Sequence, residues 1–107
     1  MMSELLDKRM RFSVRLAFLI LHAGNLGYGI TLGEGYVSNG TGHMKGSLHY
    51  SGLAQDINLY KDGIWLDKGP EAEKAHNLLH DMWDLLGGAA RIPQDLNHYS
   101  FAHGGKR

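Results

Sequence analysis

The segment Leu53-Ala54-Gln55-Asp56-Ile57-Asn58-Leu59-Tyr60-Lys61-Asp62-Gly63-Ile64-Trp65-Leu66 decides how the chain is read. Side chains alternate across a strand, so Ala54, Asp56 and Asn58 share one face while Leu53, Ile57 and Leu59 share the other. Asp62-Gly63 is a strong two-residue hairpin signal, and the chain returns through Ile64-Trp65-Leu66. One residue breaks the pattern. Asp56 lies in an otherwise apolar strand, where an unpaired carboxylate is costly. Burial of that kind calls for a cation, a hydrogen-bond cluster or a metal.

Upstream, Leu5, Phe12, Leu16, Leu19, Ile20 and Ala23 recur at helical spacing between positions 3 and 23. Arg9, Arg11 and Arg15 take much of the opposite face, and Gly24 is placed to end the helix. Tyr28, Ile30 and Leu32 then alternate with Gly29, Thr31 and Gly33, which predicts a strand with one buried face. Five glycines between Gly24 and Gly35 invite comparison with a nucleotide loop. The register fails, because Gly27-x-Gly29 is followed by Leu32 where a dinucleotide fingerprint needs glycine, and no helix follows. Glycines beside a strand more often permit turns and close backbone approach. Positions 37–46 are polar, glycine-rich and aperiodic, the pattern of a surface loop.

Downstream, Gly69-Pro70 starts a second helix, with Pro70 in its first turn and Glu71 and Glu73 suited to the positive end of the dipole. Its expected core stripe is Ala75, Leu78, Leu79, Met82 and Leu86, and Gly87-Gly88 stops it. A short strand over positions 97–101 and a mobile tail over 103–107 complete the reading. The order helix, strand, loop, hairpin, helix, strand makes residues 1–107 one α+β domain: a small, mainly antiparallel sheet with flanking helices.

Composition narrows the function. The 107 residues carry 11 basic and 11 acidic side chains, so no overall field draws the chain to nucleic acid or to an anionic membrane. With zero cysteines there are no disulfides and no thiolate metal site, which leaves His, carboxylate and water as ligands for any metal. Ala17-Phe18-Leu19-Ile20-Leu21 resembles the middle of a signal peptide. Arg15 and His22 flank it, no small-residue cleavage site follows, and a bilayer span needs about 20 apolar residues. It is read as a buried helix, with no signal peptide.

His49 and Asp56, seven residues apart, are ligand types that a catalytic zinc ion uses, and a third must come from elsewhere. His98 is the candidate third ligand, and Asp95, three residues earlier, the candidate base. Each has a plainer reading: a lone His49 is more often a core or surface histidine, and Asp95 after Pro93 suits a turn. His76 and His80 form a rival pair at i and i+4 on one helix face. Asn77 stands where a zincin motif needs glutamate, so a structural role on the helix flank is the expectation. His22, His43 and His103 have no partner at ligand spacing.

Ser47-x-His49-x-x-Gly52-x-Ala54-x-Asp56, with Asp95-x-x-His98 downstream, resembles in full the signature of the VanY-type zinc peptidases. That family comprises D-alanyl-D-alanine carboxypeptidases and dipeptidases, and the L-alanyl-D-glutamate endopeptidases of phage endolysins. Further likeness lies in Thr31-Leu32-Gly33-Glu34-Gly35-Tyr36, in the strand and hairpin from Asp56 to Gly63, and in Asn97-His98-Tyr99-Ser100-Phe101. The resemblance implies a Hedgehog/DD-peptidase-like fold in which His49, Asp56 and His98 bind one Zn2+ and leave a position for water. It implies Asp95 as the proton-transferring residue, and an aspartate there favours the endolysin branch. Ser47 is expected near the metal shell or the substrate.

One departure concerns substrate. The family commonly carries arginine after the Gly-Tyr of the substrate strand, where this chain has Val37; Lys45, His43 or Arg91 are candidates to supply the charge. The implied activity is hydrolysis of the peptidoglycan stem peptide at L-alanyl-D-glutamate by a monomer with no membrane insertion and no nucleic-acid partner. It would be made in the bacterial cytoplasm and reach the periplasm by holin-type release. The alternatives are a D-alanyl-D-alanine carboxypeptidase and a non-catalytic zinc-binding module of the same fold.

Overall fold

Alternation of apolar residues builds the spine of the domain, an eight-residue strand with neighbours along both edges. The computed structural model describes residues 3–35, 48–49 and 51–107. They form α1 (Glu4–Asn25), β1 (Gly29–Leu32), β2 (Ala54–Lys61), β3 (Ile64–Trp65), α2 (Pro70–Leu85) and β4 (His98–Ser100). This is an α+β arrangement of two helices and a small antiparallel sheet.

β2 is the strand to which the others pair. β1 runs against its second half, from Gly29↔Tyr60 to Leu32↔Ile57. β4 runs against its first half, pairing Ala54 with Ser100 and Asp56 with His98. β3 returns through the tight turn at Asp62 (φ 52°) and Gly63 (φ 76°), pairing Tyr60 with Trp65. Both turn residues take positive φ, as the sequence signal requires. The ladder extends past β1: Gly33 N–H donates to the Asp56 carbonyl and Asp56 N–H to the Glu34 carbonyl, both at 2.8 Å. On the opposite edge Ile57 N–H donates to the Asn97 carbonyl at 2.8 Å. Asp56 is therefore held from both sides.

Leu53, Ile57 and Leu59 point into the core with Leu19, Ala23, Leu79, Trp83 and Tyr99, all fully buried. Each large apolar side chain so placed contributes about 1.5–3 kcal/mol. Phe12, Trp83 and Phe101 pack ring to ring, with centroids 5.3–5.8 Å apart. Trp83 also satisfies its indole N–H on the Ser100 carbonyl at 2.9 Å. A Cβ on Gly88 would fall 2.1 Å from that indole nitrogen, so the glycine that helps end α2 also makes room for the ring.

Several elements differ from expectation in detail. α1 continues through Gly24 to Asn25, and Gly27, with φ 94°, takes the left-handed turn beyond its end. The run expected to be a buried helix is amphipathic: Leu19 is sealed, whereas Phe18 and Leu21 are 58% and 63% exposed. No helix among the described residues is long and apolar enough to cross a membrane. Tyr28, just before β1, and Ile30 within it reach the core, but Leu32 lies at the sheet's outer edge and is 55% exposed. α2 is rotated relative to its expected stripe, burying Ala72, Ala75, His76, Leu79, His80 and Trp83 and exposing Leu78. The large indole sets that rotation, because Trp83 needs both the ring cluster and the Ser100 carbonyl. At the tail, His103 and Lys106 exchange backbone hydrogen bonds at 3.0 Å, and Lys8 Nζ donates to the Ala102 carbonyl at 3.2 Å.

The arginines of α1 serve as ties. Arg15 donates to the Leu86 carbonyl at 2.9 Å, capping the end of α2. Arg9 turns inward and donates from Nε to the Ser51 carbonyl at 2.6 Å. That contact clamps the turn between His49 and β2. Gly52 fits beneath it with φ +71°, where a Cβ would lie 2.8 Å from Arg9 Nε. Gly52→Ala is expected to destabilise the domain by about 2 kcal/mol through the left-handed backbone and the displaced guanidinium. Urea unfolding of the metal-free protein measures this, and Gly63→Ala, with open space around its Cβ, separates the backbone cost from the clash.

Candidate metal centre

Register brings two of the expected ligands together without help from loops. Asp56 and His98 are directly opposed in the β2–β4 ladder, so their side chains rise from the same face of the sheet. His49 comes from the turn before β2, closed by Leu53 N–H to the Leu48 carbonyl at 3.0 Å and Gly52 N–H to the His49 carbonyl at 3.2 Å. One ligand atom from each of His49, Asp56 and His98 lies within 4.8 Å of the others, near enough to hold a metal ion. His49 and His98 are buried, and Asp56 is 22% exposed.

The donor atoms face inward in a way that suits a cation. His49 Nδ1 lies 2.9 Å from the Gly35 carbonyl, which can only accept, so the ring proton belongs on Nδ1. In the neutral ring Nε2 then presents a lone pair to Asp56 Oδ1, 3.4 Å away. His98 Nδ1 approaches the same oxygen at 3.8 Å. That oxygen is buried and accepts no aligned hydrogen bond among the described residues. Electron pairs converging on one point repel unless a proton or a metal ion sits between them. A carbonyl bonded to the far nitrogen of a ligating imidazole is also the support that metal-bound histidines use. Two imidazoles and a carboxylate, without sulfur, fit zinc.

The electrostatics agree in sign. Burial opposes charging His49, but the Asp56 carboxylate, the Gly35 carbonyl and Glu34 outweigh it and raise the imidazole above its ordinary 6.5. The site favours positive charge at this point.

Asp95 lies beside the cluster, not within it. The turn from Ile92 to Asp95 (2.9 Å) and the bond from His98 N–H to the Asp95 carbonyl (3.1 Å) set it at the mouth. Its Oδ2 is 3.8 Å from His98 Nδ1, and its side chain is half exposed. It can thus approach a metal-bound molecule from the solvent side. Arg91, a candidate substrate cation, is committed to α2, bonding Asn77 at 2.8 Å, Asp81 at 2.9 Å and Asp84 at 3.2 Å. Ser47, Lys45, His43 and Val37 lie outside the described residues.

His76 and His80 are in the core, not on the helix flank. His76 Nδ1 pairs with the Tyr99 hydroxyl at 2.7 Å. His80 Nε2 donates to the Leu96 carbonyl at 3.1 Å, and its ring stacks on Tyr99 at 4.2 Å. Two supports of the site went unexpected: the Gly35 carbonyl and the Arg9 clamp. The glycine-rich stretch was a signal for the first, since Gly33 lies where a Cβ would be 3.1 Å from that of Asp56.

Comparison with protein-family models, curated proteins and solved structures finds no match.

Burial pushes His76 and His80 down to about 4, from 6.5. Between those values the unfolded chain binds more protons than the native one, so stability is complete above about pH 6.5 and falls as pH drops towards 4. Each histidine accounts for at most roughly 3 kcal/mol. His49, shifted the other way, loses its contribution as pH rises and offsets part of this slope. In chelator, the urea midpoint is expected to fall between pH 7 and pH 5; a flat or rising midpoint would contradict the buried neutral pair.

Proposed function

We propose that this protein is a zinc-dependent peptidoglycan peptidase that hydrolyses the stem peptide, with the L-alanyl-D-glutamate bond as its first candidate. The observation that carries the reading is the convergence of His49, Asp56 and His98 on one point, with Asp95 beside it. The Ser47-to-Asp56 signature supports the same assignment from the sequence.

Within this reading the labour divides cleanly. His49, Asp56 and His98 would hold the ion. Bound there, zinc would supply a water of near-neutral pKa and a Lewis acid for the scissile carbonyl. Asp95 Oδ2 accepts a proton as the amide is attacked and hands it to the leaving amine. Its partial exposure suits that task, since a carboxylate locked into the metal shell is not free to shuttle protons. The Gly35 carbonyl keeps the His49 proton on Nδ1 and so keeps Nε2 available.

Asp95→Ala is expected to bind one zinc per chain as the parent does, while hydrolysis falls about a hundredfold or more. His98→Ala is expected to lose the metal. Digestion of Gram-negative sacculi followed by mass spectrometry assigns the bond. Release of free D-alanine with intact L-Ala-D-Glu bonds would move the assignment to a D,D-carboxypeptidase. One bound zinc with no cleavage at all would leave a binding module. Loss of zinc from Asp95→Ala would show that Asp95 is a ligand.

A further inference from the structure

On one edge of β2, β3 ends before β4 begins, and the gap between them is a cleft of about 310 Å3. Asn58 of β2 lies at its floor, Trp65 and Lys68 lie on the β3 side, and Asp95 and Asn97 on the β4 side. Asp95 lines the cleft, and its Oδ2 lies 3.8 Å from His98 Nδ1, so the cleft adjoins the cluster at the residue assigned to proton transfer. His76 also lines the cleft although it is only 2% exposed.

The protonation of His76 follows from its neighbour. Tyr99 is wholly buried, and its hydroxyl has one hydrogen-bond partner among the described residues, His76 Nδ1 at 2.7 Å. If the imidazole donated, the hydroxyl proton would be stranded in the core at a cost of about 1–3 kcal/mol. The hydroxyl therefore donates to Nδ1, and the neutral ring carries its proton on Nε2. Nε2 makes no hydrogen bond among the described residues, yet it is not shut off from solvent as His80 Nδ1 is. It is the ring edge left to face the cleft.

We propose that this cleft is a subsite for the stem peptide next to the scissile bond, and that His76 is its specificity-determining donor, giving an Nε2–H hydrogen bond to a peptide oxygen. The inference rests on the peptidase reading for the identity of the ligand, not for the geometry. Asn97 Nδ2 donates to Asn58 Oδ1 at 3.1 Å, so the facing amides are already oriented. Asn58 Nδ2 turns to the β1 side and donates to Thr31 Oγ1 at 3.4 Å, so the cleft is left with the His76 N–H as donor, the Asn97 carbonyl oxygen as acceptor, and Trp65, 53% exposed, as an apolar wall. A peptide backbone, with donors and acceptors in alternation, matches that lining. A bare anion does not, because Lys68 shares the lining with the carboxylates of Asp67, Glu73 and Asp95.

Two measurements test this. In the first, the zinc-loaded Asp95→Asn protein, 15N-labelled at histidine, is titrated with the tetrapeptide L-Ala-γ-D-Glu-meso-diaminopimelate-D-Ala. His76 is expected as the Nε2–H tautomer, with its Nε2 signal moving saturably. In the second, His76→Leu is expected to raise KM for that peptide about five- to tenfold, with kcat within about twofold and zinc content unchanged. His76→Gln, which restores an N–H at the same reach, is expected to recover most of the loss.

An Nδ1–H tautomer, a His76 signal that stays still while the peptide binds, or an unchanged KM in folded His76→Leu overturns the proposal. Should His76→Leu fail to fold, the titration decides alone. Saturable movement at His76 without any cleavage by the wild-type protein sinks the peptidase reading and leaves the subsite standing. Cleavage without any effect at His76 does the reverse, and a peptide neither bound nor cut removes both.

Discussion

The site depends on one pairing, Asp56 opposite His98 in the ladder between β2 and β4. Side chains in a strand alternate, so a slip of one residue in that register would send His98 to the other face and bring Tyr99 beside Asp56. The slip is blocked from both directions. Tyr99, on the opposite face, fills a place among Trp83, His76 and His80, and Ser100 offers its carbonyl to the Trp83 indole. The packing beneath the sheet thus fixes the ligand geometry above it. A ligand pair held by a ladder is more rigid than one held by two loops, which suits a site that must favour one ion geometry.

The third ligand is held differently. His49 lies outside the strands and is positioned by hydrogen bonds from three directions: its own turn, the Gly35 carbonyl on its ring, and Arg9 on the Ser51 carbonyl just after it. Arg9 comes from the first helix and Gly35 from just past β1. A change in either element therefore reaches the candidate metal site through backbone placement, without touching a candidate ligand.

How much of this was legible follows from the range of the interactions. Asp62-Gly63, Gly69-Pro70 and the alternation around Asp56 are local signals, and each element they announce is present. Asp56 itself was conspicuous as a carboxylate set close to Ala54 and Ile57, both buried. The burial of His76 and His80 was not legible, because histidine counts as polar in a periodicity and the partner that admits His76, Tyr99, lies 23 residues away. Trp83 was missed as the residue that sets the rotation of α2 for a related reason: its indole partner, Ser100, is 17 residues distant. The end of α1 was misplaced by one glycine for another, since Gly24 and Gly27 look alike until tertiary packing chooses between them. The three candidate ligands were picked out by residue type and spacing and by the likeness of the Ser47-to-Asp56 stretch to a known signature, and the fold brings them together. The Gly35 support was overlooked because it uses only a backbone carbonyl, which every residue owns.

The order of the ligands along the chain has a consequence for synthesis. His98 follows Asp56 by 42 positions and sits in the last described strand, so the ladder that completes the candidate metal cluster is the longest-range strand pairing among the described residues. Pairing across a long stretch of chain is slow to form, because the loop-closure entropy must be met before the contacts repay it. A ribosome must deliver residue 98 and some length beyond it before the three donors can meet. The candidate ligands can therefore meet only once residue 98 has left the ribosome, and a chain cut before it would lack the third donor.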